Sequence, residues 1–219
     1  MMLPDLFATD REKIALDPGA WLLGDFALDE ASALLAEIAR IAAQAPFRHL
    51  ETRTGGTMSV AMTNCGDAGW VSDRRGYRYT DDDPLSGQAW PAMPSQFRDL
   101  ARRAAETAGF PGFAPDACLI NRYAPGTRLS LHQDRDEARH DAPIVSVSLG
   151  VPARFIWGGQ QRSDRPRRHD LFHGDVVVWG GPARLTFHGI DMLRKAHHPE
   201  TGDLRFNLTF RRARLPNLA

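Results

Sequence analysis

Long apolar runs are missing from this sequence. No stretch approaches the roughly 18 residues that a membrane-spanning helix needs, so its apolar segments must face a core. The beginning, Met1-Met2-Leu3-Pro4-Asp5, lacks the basic-then-apolar order of a secretory signal. That predicts a cytoplasmic protein without a membrane partner. Cysteine is scarce. Cys65 and Cys118 make no CxxC and no disulfide framework, which leaves two reduced, partly buried thiols. An excess of one charge is missing too: 27 Lys and Arg balance 27 Asp and Glu. A protein that coats nucleic acid nonspecifically is usually strongly basic, so any such contact here must use a local patch. Internal repeats and low-complexity segments are absent. What remains is an ordinary globular composition, 42% hydrophobic and 25% charged over 219 residues, enough for a core without staples.

Two helices and a run of short strands can be read along the chain. Residues 1–28 look irregular. Asp29 is a good N-cap for a helix to about Gln44, with Leu34, Ile38 and Ile41 on one face. A second helix is expected from Ser95 to Ala108, with Phe97, Leu100, Ala101 and Ala104 as its stripe and Gly109 at its end. Between them lie a turn at Gly55-Gly56 and a polar, loop-like stretch from Asn64 to Pro94. After Asp116 short β segments recur: Cys118–Tyr123, Ser130–Asp134, Ile144–Leu149, Arg154–Trp157, Asp175–Trp179, Arg184–His188 and Arg205–Arg211. Seven strands with no long helix between them predict an α+β fold with an antiparallel jelly-roll core.

The segment Ser130-Leu131-His132-Gln133-Asp134 carries the first chemical signal. On a strand, His132 and Asp134 point the same way. With a further imidazole, His188, they form a 2-His-1-carboxylate set, which leaves three adjacent positions open on a non-haem iron. His-x-Asp alone is weak, since His173-Gly174-Asp175 repeats it at a turn. His188 gains weight by closing a late strand that a double-stranded helix brings back beside the early one.

Arg205-Phe206-Asn207-Leu208-Thr209-Phe210-Arg211 is the second signal. Arg205, Asn207, Thr209 and Arg211 share one face. An edge strand with a solvated polar face explains the alternation, but not two guanidiniums and an amide without Lys or Glu. Arginine forks bind carboxylates bidentately, and two on one strand suit a dicarboxylate such as 2-oxoglutarate. Asn121 and Tyr123 add an amide and a phenol on a neighbouring segment.

Together with Asn121-Arg122-Tyr123-Ala124-Pro125-Gly126, His173-Gly174-Asp175-Val176-Val177-Val178-Trp179, Trp90-Pro91-Ala92-Met93-Pro94 and Met58–Gly66, these motifs resemble the AlkB family of nucleic-acid dealkylases, in its bacterial form. The similarity runs in order from about Leu3 to Arg211. It implies a double-stranded β-helix (jelly-roll) core over about 116–211. An N-terminal extension over about 1–115 would carry two helices and a nucleotide-recognition lid, all in one catalytic domain. It implies Fe(II) on His132, Asp134 and His188. Arg205 and Tyr123 would meet the outer carboxylate of 2-oxoglutarate, and Arg211 would lie near the chelating one, with Asn121 and Asn207 adding hydrogen bonds. Trp70 and the His132 ring would sandwich a damaged base. Met62 and Tyr77 would line the pocket, and Asp136 would face the base's polar edge. The implied activity is oxidative demethylation of 1-methyladenine or 3-methylcytosine in single- or double-stranded DNA, and in RNA, by a monomer that consumes O2 and releases formaldehyde, succinate and CO2. Gly56 departs from the pattern, which has an aromatic in the lid turn.

Residues 160–169 carry Arg162, Arg165, Arg167 and Arg168 against Asp164. They read either as a solvated loop or as a phosphate-contacting edge, with Arg162 foremost. Three rival functions remain at this stage: an oxygenase of proteins or metabolites, a jelly-roll metal-binding module, and a pure damaged-base sensor, which would tolerate loss of the iron ligands that this sequence retains. Trp70, Tyr77 and Asp136 count against the first. The twin-arginine strand counts against the second.

Overall fold

The computed structural model describes residues 13–138 and 140–214. Fourteen strands and two α-helices form three layers. The largest sheet follows from the alternating segments. It holds β1 (Ile14–Asp17), β2 (Ala20–Leu23), β3 (Arg48–Glu51), β4 (Thr57–Gly66), β7 (Ala117–Tyr123), β9 (Ile144–Gly150), β12 (Val176–Trp179) and β14 (Arg205–Arg211). Their order is β1-β2-β12-β9-β14-β7-β4-β3. A second sheet is ordered β11-β10-β13-β8, from β8 (Leu129–His132), β10 (Ala153–Trp157), β11 (Arg167–Leu171) and β13 (His188–Ile190). Every pairing in both is antiparallel, the jelly-roll arrangement expected.

Each face of the large sheet has its own core. Helix α1 (Ala31–Gln44) buries Leu34, Ile38 and Ile41, and α2 (Ser95–Thr107) buries Phe97, Leu100, Ala101 and Ala104. They press on Cys65, Cys118, Ile120, Val145, Leu208 and Phe210. Across the sheet, Leu119, Tyr123, Val177 and Trp179 meet Phe155, Trp157 and Ile190 of the small sheet. Side-chain alternation along β7 and β14 therefore sends Ile120, Leu208 and Phe210 to the helices. Both cysteines are fully buried rather than partly so, and they are register partners across β4 and β7.

Several of the expected boundaries need correction: β8 stops at His132 instead of Asp134, and Glu30, not Asp29, caps α1. Residues 14–23 are a hairpin, not irregular, because Pro18-Gly19 makes a tight turn with Gly19 at φ +83°. The stretch 64–94 is not all loop: β5 (Gly69–Asp73) and β6 (Gly76–Thr80) form a separate hairpin. Its charged turn hides the pattern, and the Arg78–Asp73 ion pair at 2.8 Å ties it shut. Residues 184–187 are not strand, since Pro182 sets a 3-10 turn over Gly181–Ala183 and β13 opens at His188. Residues 167–171 are a strand, β11, paired along β10.

Candidate metal centre and cavity

Strand pairing builds the metal set. His188 opens β13 directly opposite His132, the last residue of β8, which brings the ring centroids to 4.4 Å. Asp134 follows past the end of β8 and closes the triangle: its carboxylate oxygens lie 3.6 Å from His132 Nε2 and 3.8 Å from His188 Nε2. The three ligand atoms lie within 4.8 Å of one another.

Protonation fits a cation. His132 Nδ1 lies 2.9 Å from the Ser130 carbonyl and His188 Nδ1 lies 3.0 Å from the Thr186 carbonyl. A carbonyl only accepts, so both Nδ1 atoms carry the proton and both Nε2 lone pairs point at the centre, the arrangement seen in metal-ligating histidines. Burial, then the neighbouring His132, push His188 down to about 3, so its ring is neutral. Burial alone would raise the Asp134 carboxyl. The Arg211 guanidinium overrides it, holding Asp134 well below the usual carboxylate range. Arg211 Nε and Nη2 lie 3.1 and 2.7 Å from Asp134 Oδ2.

A second cluster, His173, His198 and Glu200, has similar spacing but opposite polarity. His173 Nδ1 accepts the Gly150 N–H at 2.8 Å, and His198 Nδ1 accepts the Glu200 N–H at 3.3 Å. Their Nε2 atoms therefore hold the protons, and His173 Nε2 faces the Glu200 carboxylate at 3.4 Å. That cluster is a hydrogen-bonded clasp.

The dicarboxylate expectation has its own test. β14 is no edge strand: it lies between β9 and β7, and Arg205 is 1% exposed. Arg205 Nη2 donates to Ser148 Oγ at 2.9 Å, while among the described residues its Nε and Nη1 have no hydrogen-bond partner. Its guanidinium lies 5.1 Å from the Tyr123 ring centroid. The buried Tyr123 phenol is pushed up to about 12 by burial, with Arg205 opposing. A buried cation with two unpaired donors and no carboxylate fits an anion supplied from outside the chain. The two arginines do not share one carboxylate. They are about 20 Å apart along the strand, and Arg211 is committed to Asp134 and, at 3.4 Å, to Glu137. Asn207 is held by Ser146 Oγ and the Val147 carbonyl, and donors of Asn121 and Thr209 reach its Oδ1. Asn121 Oδ1 is a further buried atom without a partner.

A cavity of about 720 Å³ opens beside the triad and is lined by Met62, Trp70, Tyr77, Asn121, Asp136 and Arg162 among others. Trp70 of β5 and Tyr77 of β6 stack at 5.5 Å and 22°, and Trp70 Nε1 donates to Asp136 Oδ2 at 2.8 Å. Met62 is buried beneath, and Tyr77 is exposed. Arg162 Nη1 donates to the Leu131 carbonyl at 2.9 Å. The cationic edge is smaller than its sequence suggests, because Arg167 pairs with Asp17 and Arg168 with Asp191. Sequence reasoning missed Ser146 and Ser148, although serine at alternate places in a Val- and Leu-rich strand marks a polar pocket face. It also missed Tyr79, Glu137 and Arg184, which had no local signal.

An inward-facing 2-His-1-carboxylate set on a jelly-roll core defines a non-haem metal oxygenase site. Residues 19–211 match the family model described as the 2OG-Fe(II) oxygenase superfamily. The chain belongs to the AlkB family of that superfamily and is an Fe(II)- and 2-oxoglutarate-dependent dioxygenase. It is 56% identical to the alpha-ketoglutarate-dependent dioxygenase AlkB of Salmonella typhimurium, covering 95% of this chain and 97% of that one. Identity to the AlkB homolog of Caulobacter vibrioides is 48%, over 83% and 81%. Among solved structures, that of OsALKBH1 superposes with a TM-score of 0.82 at 29% identity, covering 91% and 99%.

Proposed function

We propose that this dioxygenase repairs nucleic acid by oxidative demethylation of N-alkylated bases such as 1-methyladenine and 3-methylcytosine. The observation that carries this reading is the Trp70–Tyr77 stack, with Asp136 at its edge, on the wall of the cavity that holds the triad. A base methylated on a ring nitrogen can be cationic, and aromatic faces with a nearby carboxylate attract such a ring. To arrive there it must leave the duplex stack, which is cheaper when its pairing edge is blocked. The relatives' names agree: one is a nucleic acid dioxygenase, ALKBH1 of Mus musculus, though at 33% identity over 60% of this chain.

In this reading His132, Asp134 and His188 hold iron. Arg205 and Tyr123 hold the outer carboxylate of 2-oxoglutarate. Arg211, bound to Asp134, would stand beside the metal end of the co-substrate, and Asn121 and Asn207 would complete the pocket. Iron with 2-oxoglutarate and O2 supplies the oxidation, leaving succinate and CO2. The chain's part is to place the methyl group, through Trp70, Tyr77, Met62 and Asp136, and to exclude water with the apolar wall. Hydroxylation of the methyl leaves an unstable N-hydroxymethyl group that departs as formaldehyde. Arg162 would contact the backbone. The substrate is alkylated DNA and also RNA, and the protein works as a cytoplasmic monomer in a single catalytic domain.

The test incubates protein, Fe(II), 2-oxoglutarate and ascorbate with a single-stranded oligonucleotide bearing one 1-methyladenine, beside Asp134→Ala. Mass spectrometry is expected to show loss of one methylene unit, dependent on iron, co-substrate and Asp134. Succinate without demethylation would sink the substrate assignment and leave the dioxygenase intact.

A further inference from the structure

Two carboxylates just beyond Asp134 are gripped by the β5–β6 hairpin. Trp70 and Tyr79 are register partners, so with Tyr77 they project from one face of it. Trp70 Nε1 donates to Asp136 Oδ2 at 2.8 Å, and Tyr79 Oη donates to Glu137 Oε1 at 2.7 Å. Glu137 is far more buried than Asp136, and it sits between two buried guanidiniums. Arg184 Nη2 reaches its Oε2 at 3.0 Å, and Arg211 Nε lies 3.4 Å from its Oε1. Both arginines return to Asp134: Arg211 to the carboxylate at 2.7 Å, Arg184 Nη1 to the main-chain carbonyl at 2.6 Å.

Charge explains why the link is stiff. Asp134, Glu137, Arg184 and Arg211 form a buried quartet of zero formal charge, and each member is within hydrogen-bonding or ion-pair reach of another. A displacement of Glu137 therefore alters how Arg211 is shared between Glu137 and Asp134. The Tyr79 phenol enters this quartet from the hairpin, and it also lies 3.4 Å from Arg211 Nη1. Burial raises that phenol well above its ordinary range, so it stays a proton donor at neutral pH.

We propose that Tyr79 and Glu137 are positioning residues that couple the hairpin carrying Trp70 and Tyr77 to the carboxylate of Asp134, so that a base seated against the hairpin promotes co-substrate oxidation. The proposal rests on the base-binding role given above to Trp70 and Tyr77. Without the Tyr79–Glu137 bond, the hairpin would bind the base but lose its hold on Asp134. Co-substrate would then be consumed at the same rate with or without nucleic acid.

Tyr79→Phe is the clean variant, because it removes one oxygen and leaves the quartet's charges intact. Succinate and formaldehyde would be measured together, with and without the methylated oligonucleotide. Mn(II) affinity would be measured by titration, and amide exchange over residues 130–137 in the protein alone. Loss of a hydrogen bond to a charged acceptor corresponds to about a 10- to 100-fold shift. The expectation is a succinate-to-formaldehyde ratio raised several-fold towards that limit, near wild-type Mn(II) affinity, and faster exchange over 130–137. Glu137→Gln is expected to raise the ratio further and to weaken Mn(II) binding. A wild-type ratio together with unchanged exchange in Tyr79→Phe overturns the coupling. If the wild-type protein makes no formaldehyde, the substrate reading has failed instead, and the exchange measurement alone then decides the link.

Discussion

At the scale of single residues, a hydrogen bond to the far side of an imidazole separates a metal ligand from a structural histidine. His188 donates from Nδ1 to a carbonyl, whereas His173 accepts at Nδ1 from Gly150. We therefore expect His188→Asn to weaken Mn(II) binding by more than about 100-fold, beyond the usual loss for an outer partner of a ligand. His173→Asn should leave one tight metal ion per chain. Equilibrium dialysis with metal analysis reads both, and a second ion lost with His173 would refute the tautomer argument. Arg205 offers another test. Among the described residues its Nε and Nη1 have no hydrogen-bond partner. Arg205→Lys keeps the charge but not the fork, so the KM for 2-oxoglutarate should rise about 10- to 100-fold, the value of one charge-assisted bond. Succinate release at varied co-substrate gives the number. An unchanged KM would remove Arg205 from the pocket. The shared face of Arg205 and Asn207 was legible in the sequence because strand periodicity alone sets it. His132 and Asp134 met as expected even though β8 stops at His132 and the carboxylate lies just past it.

At the scale of elements, the β5–β6 hairpin is where sequence reasoning fell short. Its turn, Asp73-Arg74-Arg75-Gly76, reads as loop, and its strands carry Ser72 and Arg78 where a core strand would be apolar. Those residues are satisfied by partners distant in sequence or across the turn: Ser72 Oγ donates to the Glu51 carbonyl at 2.5 Å, and Arg78 pairs with Asp73. Tertiary context makes the strand, so no local pattern could show it. The helices were legible to within a residue or two because their buried stripes have the helical period. A further side chain, beside Ser72, ties the hairpin to the large sheet. Asn64 of β4, itself buried, exchanges two 3.0 Å hydrogen bonds with the main chain of Trp70. Asn64→Ala should cost about 1–3 kcal/mol of stability through the unsatisfied Trp70 groups. It should raise the KM for a methylated oligonucleotide while leaving that for 2-oxoglutarate unchanged. Equal changes in both constants would mean that Asn64 supports the whole cavity and not the hairpin alone.

At the scale of the whole molecule, the site places buried titratable groups between the two sheets, and folding stability must follow their protonation. His188 has a folded value near 3, far below that of an exposed imidazole. Between those values the unfolded chain binds the extra proton, so stability rises with pH across the window and is lost as pH falls through it. Asp134 acts in the same direction at the acid end. Its folded value is depressed, so its contribution is present above the ordinary carboxylate range and disappears below it. At the alkaline end the sign reverses. Tyr123 is raised to about 12 and Tyr79 is raised as well, so the unfolded chain loses their protons first and stability declines above about 10. Denaturant melts of the metal-free protein should therefore give a plateau near neutrality with a loss on each side. The two flanks have separate origins. His188→Asn should flatten the fall between pH 6 and 4, whereas Tyr123→Phe should flatten only the alkaline limb. Saturating Mn(II) should steepen the acid flank, because cation and protons compete for the same Nε2 and carboxylate oxygens. A metal-independent acid limb would place the acid-sensitive groups outside the candidate metal centre.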